Sequence, residues 1–137
     1  MTPGGKGAPT RVLCVDDNAD VAELMRLAID HETDMECVGC LGSADRLLDV
    51  AAETRADVVV LDATMPGRDP LDALREAHAR LPAVRVLVYS GYDDQESVDR
   101  AIEAGVWGYL SKDAGPDRLV AAIRTIRGGE FVGPDVL

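Results

Sequence analysis

Short apolar runs rich in valine and leucine recur along the chain at residues 12–15, 35–40, 58–61, 84–89 and 106–110. They predict five strands. Four of the runs are almost uninterrupted, the signature of strands buried on both faces in a parallel sheet covered by helices. The run Met35-Glu36-Cys37-Val38 is broken by a charge and predicts an edge strand. Between the runs, apolar residues take helical spacing: Val21, Leu24, Met25, Ala28; Ala44, Leu47, Leu48, Ala51; Leu71, Leu74, Ala77, Leu81; Val98, Ala101, Ile102, Gly105; and Leu119, Ala122, Ile123, Ile126. Each set lays one stripe on a sheet. Asp69 before Pro70 predicts an N-cap with proline at the first helical position, and Asp93 with Glu96 reads as a capping box. Pro116 opens the last helix and Gly128-Gly129 ends it. The whole is α/β, a (βα)5 chain, and right-handed crossovers fold it into a doubly wound, five-stranded parallel sheet with ligands at the carboxyl ends of its strands.

The residues at those ends are Asp16 and Asp17 after the first strand, Asp62 after the third, Ser90 after the fourth and Lys112 just beyond the fifth. The second strand offers nothing comparable. For these groups to converge, strands one, three, four and five must be neighbours with strand two outside them, which predicts the order 2-1-3-4-5. Each residue alone has an ordinary explanation: Asp17-Asn18 as a helix cap, Ser90 before Gly91 as a turn, Lys112 as a solvated charge. Their coincidence at one edge, and not the other, points to a site.

Three carboxylates in one crevice repel by about 4 kcal/mol per pair at 4 Å and an effective dielectric of 20, so a cation is required. Hard oxygen ligands without His or Cys select Mg²⁺, with Mn²⁺ as an alternative, and such an ion bridges carboxylates to phosphoryl oxygens. Lys112 supplies a second positive charge for a phosphoryl group and Ser90 a hydroxyl donor. One of the carboxylates is then free to act as a nucleophile and form an acyl phosphate.

At 137 residues the chain is one domain long, and 47% hydrophobic residues suffice for a core. Its net charge of −11 argues against nucleic acid binding by this segment. No apolar run is long enough for a bilayer and the first ten residues lack a signal-peptide core, which predicts a cytoplasmic protein with no membrane partner. Three cysteines, Cys14, Cys37 and Cys40, fall in strand runs. Cys37-Val-Gly-Cys40 has C-x-x-C spacing, but extended residues three apart point to opposite sheet faces, so packing is the expectation. His31 and His78 fall away from the strand-end crevice and read as surface residues. Gly-Gly-Lys-Gly near the start is too short for a phosphate-binding loop and no strand precedes it.

The stretches Val-Leu-Cys-Val-Asp16-Asp17-Asn, Val-Val-Val-Leu-Asp62-Ala-Thr-Met-Pro-Gly, Val-Leu-Val-Tyr-Ser90-Gly-Tyr and Gly-Tyr109-Leu-Ser-Lys112-Asp together resemble the receiver domain of two-component response regulators. The likeness runs from Arg11 to about Gly128 and implies the flavodoxin/CheY-like fold. By this resemblance Asp62 accepts a phosphoryl group from a sensor histidine kinase. Asp17, Asp62 and the backbone carbonyl of Thr64 hold Mg²⁺ directly, and Asp16 acts through water. Ser90 occupies the Thr/Ser switch position, Lys112 holds a phosphoryl oxygen, and Tyr109 matches the aromatic that turns inward on activation. Thr64 and Tyr92 sit at positions that tune phosphoryl lifetime in the family, and an aromatic at Tyr92 implies slow self-dephosphorylation.

The closing stretch resembles the NarL/FixJ class with LuxR-type output, where a helix-turn-helix domain usually follows. It implies a tail over residues 1–10, a receiver over 11–128 and the start of a linker over 129–137. It also implies a signalling domain rather than an enzyme, control of transcription through that further domain, and a homodimer face on the fourth helix, fifth strand and fifth helix. Two positions depart from the family pattern: Asp113 follows Lys112 where many receivers have proline, and Pro70 replaces a frequent glycine. Two alternatives compete: a stand-alone receiver acting through protein contacts, and an aspartate-nucleophile phosphatase of the haloacid dehalogenase type. The latter needs a second Asp where this chain has Thr64. A degenerate receiver that binds partners without phosphorylation finds no support, because Asp16, Asp17, Asp62, Ser90 and Lys112 are all present.

Overall fold

Alternation within each strand divides the core in two. The computed structural model describes residues 8–133 and contains β1 (Thr10–Val15), β2 (Met35–Leu41), β3 (Val58–Leu61), β4 (Arg85–Ser90) and β5 (Gly108–Ser111). All neighbouring strands are parallel, in the order β2-β1-β3-β4-β5, as expected from where the polar residues fall. Val12, Cys14, Val58, Val60, Leu87 and Leu110 face α1 (Ala19–Asp30) and α5 (Pro116–Arg127). Leu13, Val15, Val59, Leu61, Val86 and Val88 face α2 (Leu47–Glu53), α3 (Pro70–Arg80) and α4 (Gln95–Glu103). β3 is buried along its whole length, which is why its sequence shows no alternation of apolar and polar residues.

The helix boundaries follow local chemistry. Asp69 accepts a hydrogen bond from the Leu71 N–H and Pro70 occupies the first turn of α3. At α4 the expected capping box is displaced by one residue: Asp94, not Asp93, is the N-cap, because its carboxylate accepts from both the backbone N–H and the hydroxyl of Ser97. Gly105, just past α4, has φ +103° and lies under the His78 ring. Ala44 is buried as expected but precedes α2. His31 and His78 are both exposed.

Further expectations need correction. The fifth strand begins at Gly108, not residue 106, because the Val106 N–H is spent on the Ala101 carbonyl at the end of α4. Leu24 does not belong to the buried stripe of α1; it is 54% exposed, and Met25 and Ile29 fill the core instead. Ile102 likewise leaves the stripe of α4, 42% exposed, while Val98 and Ala101 are buried. The cysteines do not alternate. Val12 pairs with Cys37 but Leu13 pairs with Gly39, so Val38 is an extra residue in β2. That bulge reverses the parity of the rest of the strand and turns Cys37 and Cys40 to the same side of the sheet as Cys14.

β2 is the edge expected from its broken pattern. Its end is tied to α5 by Arg124, which pairs with Asp34 at 2.7 Å and with Glu32. At the other edge, Val132 bridges Gly108 of β5: its N–H donates to Trp107 and its carbonyl accepts from Tyr109. Arg85 sits 4.5 Å from the Trp107 ring centre and donates to the Ile126 carbonyl, closing α5 against β4. Thr10, the last residue of the expected tail, is already the first of β1, while residues 1–7 and 134–137 lie outside the described residues. Among the described residues no helix is long and apolar enough to cross a membrane.

A Cβ on Gly108 would stand 2.8 Å from Ile126 Cδ1, 3.0 Å from Leu87 Cδ1 and 3.1 Å from Val132 Cβ. Gly108→Ala is expected to cost about 1–3 kcal/mol by overpacking. Urea unfolding should show a lowered midpoint at unchanged slope.

Candidate functional site: an acidic pocket at the carboxyl edge

β1 ends at Val15 and delivers Asp16, nearly buried, and Asp17, exposed. Asn18 takes over the capping of α1, accepting from the Asp20 and Val21 N–H groups at 3.0 and 3.2 Å. The carboxylates are thereby released from cap duty. Asp16 Oδ1 accepts the Asn18 N–H at 2.9 Å, which turns its other oxygen toward the crevice. β3 ends at Leu61 and delivers Asp62, 6% exposed, whose Oδ1 accepts the Thr64 N–H at 2.9 Å. This bond draws the Thr64 backbone to the pocket. β4 ends on buried Ser90. After β5, a single 3-10 turn over Lys112–Ala114 aims the Lys112 ammonium back across the edge.

Four of the expected groups, Asp16, Asp17, Asp62 and Lys112, thus meet. Lys112 Nζ lies 2.7 Å from Asp16 Oδ2 and 3.2 Å from Asp62 Oδ2. The second contact is an aligned hydrogen bond; in the first, though shorter, the ammonium meets buried Asp16 Oδ2 off the hydrogen-bond direction, so this oxygen has the Lys112 charge but no aligned donor. Carboxylate oxygens of Asp16, Asp17 and Asp62 lie within 4.8 Å of one another. Burial pushes the Asp62 carboxyl above its ordinary range, against the Thr64 N–H and the Lys112 charge, and the Asp16 carboxylate adds to the rise. Burial also disfavours the charged form of Lys112, but the Asp16 and Asp62 carboxylates outweigh it and hold the ammonium above its usual range. Three carboxylates offering oxygens within 4.8 Å of one another, against a single ammonium, are a fit for a hard dication of the Mg²⁺ type, which completes its shell with water.

Ser90 and Tyr109 occupy the far wall. Ser90 Oγ accepts the Tyr92 N–H at 3.0 Å, and the Tyr109 hydroxyl donates to the Tyr92 carbonyl. Tyr109 is 1% exposed, its ring packed with Val88, Val98 and Ala101. Burial raises its phenol. A polar cavity of about 90 Å³ lies between these groups and α4, lined by Thr64, Ser90, Tyr92, Arg100 and Tyr109 among others. Tyr92 itself is exposed.

Sequence reasoning passed over Tyr89, whose hydroxyl reaches the Lys112 carbonyl at 3.5 Å and steadies the turn that carries the ammonium. Its place inside an apolar run hid it. Asn18 was legible only as one half of a cap, although its capping is what leaves Asp17 free. The Lys112–Asp113 bond, at the first departure from the family pattern, is trans, as is every described peptide bond.

Comparison with known proteins agrees with this geometry. The family model for the response regulator receiver domain matches residues 12–124. The transcriptional regulatory protein YxjL of Bacillus subtilis, itself uncharacterized, is 34% identical over 122 residues, which cover 89% of this chain and 56% of YxjL. The response regulator GacA of Pseudomonas aeruginosa is 33% identical over 131 residues, 92% of this chain and 59% of GacA. The chain therefore spans little more than half the length of these curated relatives. Among solved structures, a LuxR-family two-component response regulator from Aurantimonas sp. SI85-9A1 superposes with a TM-score of 0.85 at 30% identity, covering 91% of this chain and 89% of that one. The signal receiver domain of the putative response regulator NarL from Mycobacterium tuberculosis gives 0.85 at 26%, covering 90% and 99%. The chain belongs to the family of response regulator receiver domains, in the company of regulators of transcription.

Proposed function

We propose that Asp62 accepts a phosphoryl group from a sensor histidine kinase, in a reaction that needs Mg²⁺, and that Ser90 and Tyr109 report the event to α4 and β5. One observation carries this reading: the convergence of three carboxylates beside the Lys112 ammonium, which lies 2.7 Å from buried Asp16 Oδ2. Receiver domains in general hold Mg²⁺ at such a pocket; here Asp17, Asp62 and the Thr64 carbonyl would bind it and Asp16 would act through water. The ion, when bound, supplies positive charge to the carboxylates and to the phosphoryl oxygens.

The Asp62 carboxylate attacks phosphorus in line; the new O–P bond forms as the N–P bond of phosphohistidine breaks, its electron pair leaving on the imidazole nitrogen. Lys112 exchanges its contact with Asp62 Oδ2 for one with a phosphoryl oxygen while keeping Asp16 opposite it. Ser90 Oγ uses its lone pairs on the Tyr92 N–H and so keeps its own hydrogen for a phosphoryl oxygen. Tyr109 shares the Tyr92 backbone with Ser90, which links the pocket to the α4 surface. The added dianion stabilises the arrangement it can bond to, so signalling is a shift of populations.

In this reading the receiver covers residues 11–128 between a tail at 1–10 and a linker beginning at 129, in a cytoplasmic protein. Output runs through a DNA-binding helix-turn-helix domain, supported by relatives named as transcriptional regulators of which this chain spans little more than half. The receiver pairs through α4, β5 and α5 and itself binds no nucleic acid.

Asp62→Asn is expected to abolish labelling by acetyl phosphate; stoichiometric label on the variant would overturn the assignment. The same variant tests the electrostatics. Because Asp62 is held above its ordinary 3.8, the folded state binds the extra proton, so stability falls as pH rises through a window starting near that value, and the cost is fully present above it. In EDTA, Asp62→Asn should therefore be more stable than the parent at neutral pH, with the gain shrinking as the pH approaches 4. Excess Mg²⁺ should reverse the order, as thermal unfolding will show. Tyr92→Ala should shorten the lifetime of the phosphorylated form, measured by loss of label, from minutes or longer toward seconds.

A further inference from the structure

The bulge in β2 has gathered three thiols on the α1 side of the sheet. Sulfurs of Cys14, Cys37 and Cys40 lie within 4.8 Å of one another, and Cys37 Sγ is 3.9 Å from Cys40 Sγ. They form a graded set: Cys14 buried, Cys37 intermediate, Cys40 exposed. A cysteine that merely packs is buried like a small hydrophobe. Cys40 is not, and in an unbulged strand, with Val38 kept in the ladder, it would share no face with Cys37.

The spacing suits an ion better than a bridge between Cys37 and Cys40. Metal–sulfur bonds of about 2.3 Å place sulfurs about 3.8–4.0 Å apart in trigonal or tetrahedral coordination. The Cys37–Cys40 separation already matches, and closing the widest gap takes about 1 Å, within the reach of rotation at exposed Cys40. A Cys37–Cys40 disulfide would have to draw together two positions separated by three residues of extended chain, about 10 Å less the bulge's shortening, whereas disulfide Cα atoms stand no more than about 6.8 Å apart. Cys14 and Cys40, directly paired across β1 and β2, are the pair in range of a bridge.

We infer that Cys14, Cys37 and Cys40 form a three-thiolate site for a soft d10 cation of the Zn²⁺ or Cu⁺ type, entered from the Cys40 side and separate from the acidic pocket. Thiolates select such ions and discriminate against Mg²⁺, while the Asp pocket does the reverse. Binding a divalent ion to three thiolates leaves one net negative charge, and the Arg26 guanidinium on α1 acts on Cys40 with the opposite sign. Cys37 Sγ donates to the Gly39 carbonyl at 3.4 Å and Cys40 Sγ to the Ala22 carbonyl at 3.9 Å, so the thiol protons leave to solvent as the ion enters. Cys14 precedes Asp16 by two residues on β1, about 7 Å along the strand, so the test must keep the two sites apart.

The reduced full chain, with Mg²⁺ in excess, should be titrated with Cd²⁺ as a spectroscopic stand-in for Zn²⁺ and, in a second arm, with Cu⁺ under anaerobic conditions. One equivalent should bind with sulfur-to-metal charge-transfer absorption and should protect all three thiols from alkylation; the tighter arm identifies the ion. Cys40→Ser, at an exposed position, and Cys37→Ser should each weaken binding at least about 100-fold, beyond the 10–100-fold typical of losing an outer-shell partner, with circular dichroism confirming that the variants are folded. Binding without charge transfer, affinity unchanged in both variants, or no uptake because Cys14 and Cys40 remain bridged after reduction would each overturn the site.

Discussion

Everything at the carboxyl edge depends on holding three carboxylates around one ammonium. Asp16, Asp17 and Asp62 would repel one another by amounts comparable to the stability of a small domain if left unscreened. Lys112 offsets part of this by lying between Asp16 and Asp62, yet one ammonium stands against three carboxylates. The pocket thus keeps an excess of negative charge. Such an imbalance is what an added cation and an added phosphoryl group can relieve together, the first by charge and the second by giving Lys112 and Ser90 new acceptors.

The sheet makes this constraint tolerable. Asp16 and Asp62 extend neighbouring strands paired Val15 to Leu61, so their separation is set by the ladder and not by flexible side chains. β3 contributes no exposed residue and anchors Asp62 at the end of the most buried strand of the fold. Lys112 comes from the far strand on a short turn, and Tyr89 steadies that turn from β4. The carboxylates therefore stand on the ladder itself and the ammonium on a short turn beyond it. Val132, bonded along β5, shields an edge that would otherwise present unpaired backbone groups.

The edge strand on the other side shows how a small backbone irregularity redirects chemistry. A single extra residue in β2 shifts parity and brings Cys37 and Cys40 to the face of Cys14. Cys14 lies two residues before Asp16, so the thiol and acidic clusters, of opposite ligand hardness, adjoin at the end of β1. Lys112 lies beside the carboxylates, while Arg26, the cation nearest in effect to Cys40, is itself paired with Glu23 and Asp30.

Most of the fold was legible because its determinants are local or periodic: apolar runs for buried strands, helical stripes between them, proline and aspartate at helix starts. Even the strand order followed from which strand ends carried polar residues. The site residues Asp16, Asp17, Asp62, Ser90 and Lys112 were legible for the same reason, each lying at or just past the end of a strand. What could not be read depends on register and on competition for hydrogen bonds across the chain. Asp94 displaced Asp93 because Ser97 offers two donors; Leu24 turned outward because α1 rotates to bury Met25 and Ile29; Tyr89 steadies Lys112 through a carbonyl that has no signature in sequence. The cysteine cluster is the sharpest case. Side-chain alternation is a property of an unbroken strand, and a bulge is decided by how β2 pairs with β1, so sequence specified the three thiols and only the tertiary pairing brought them together.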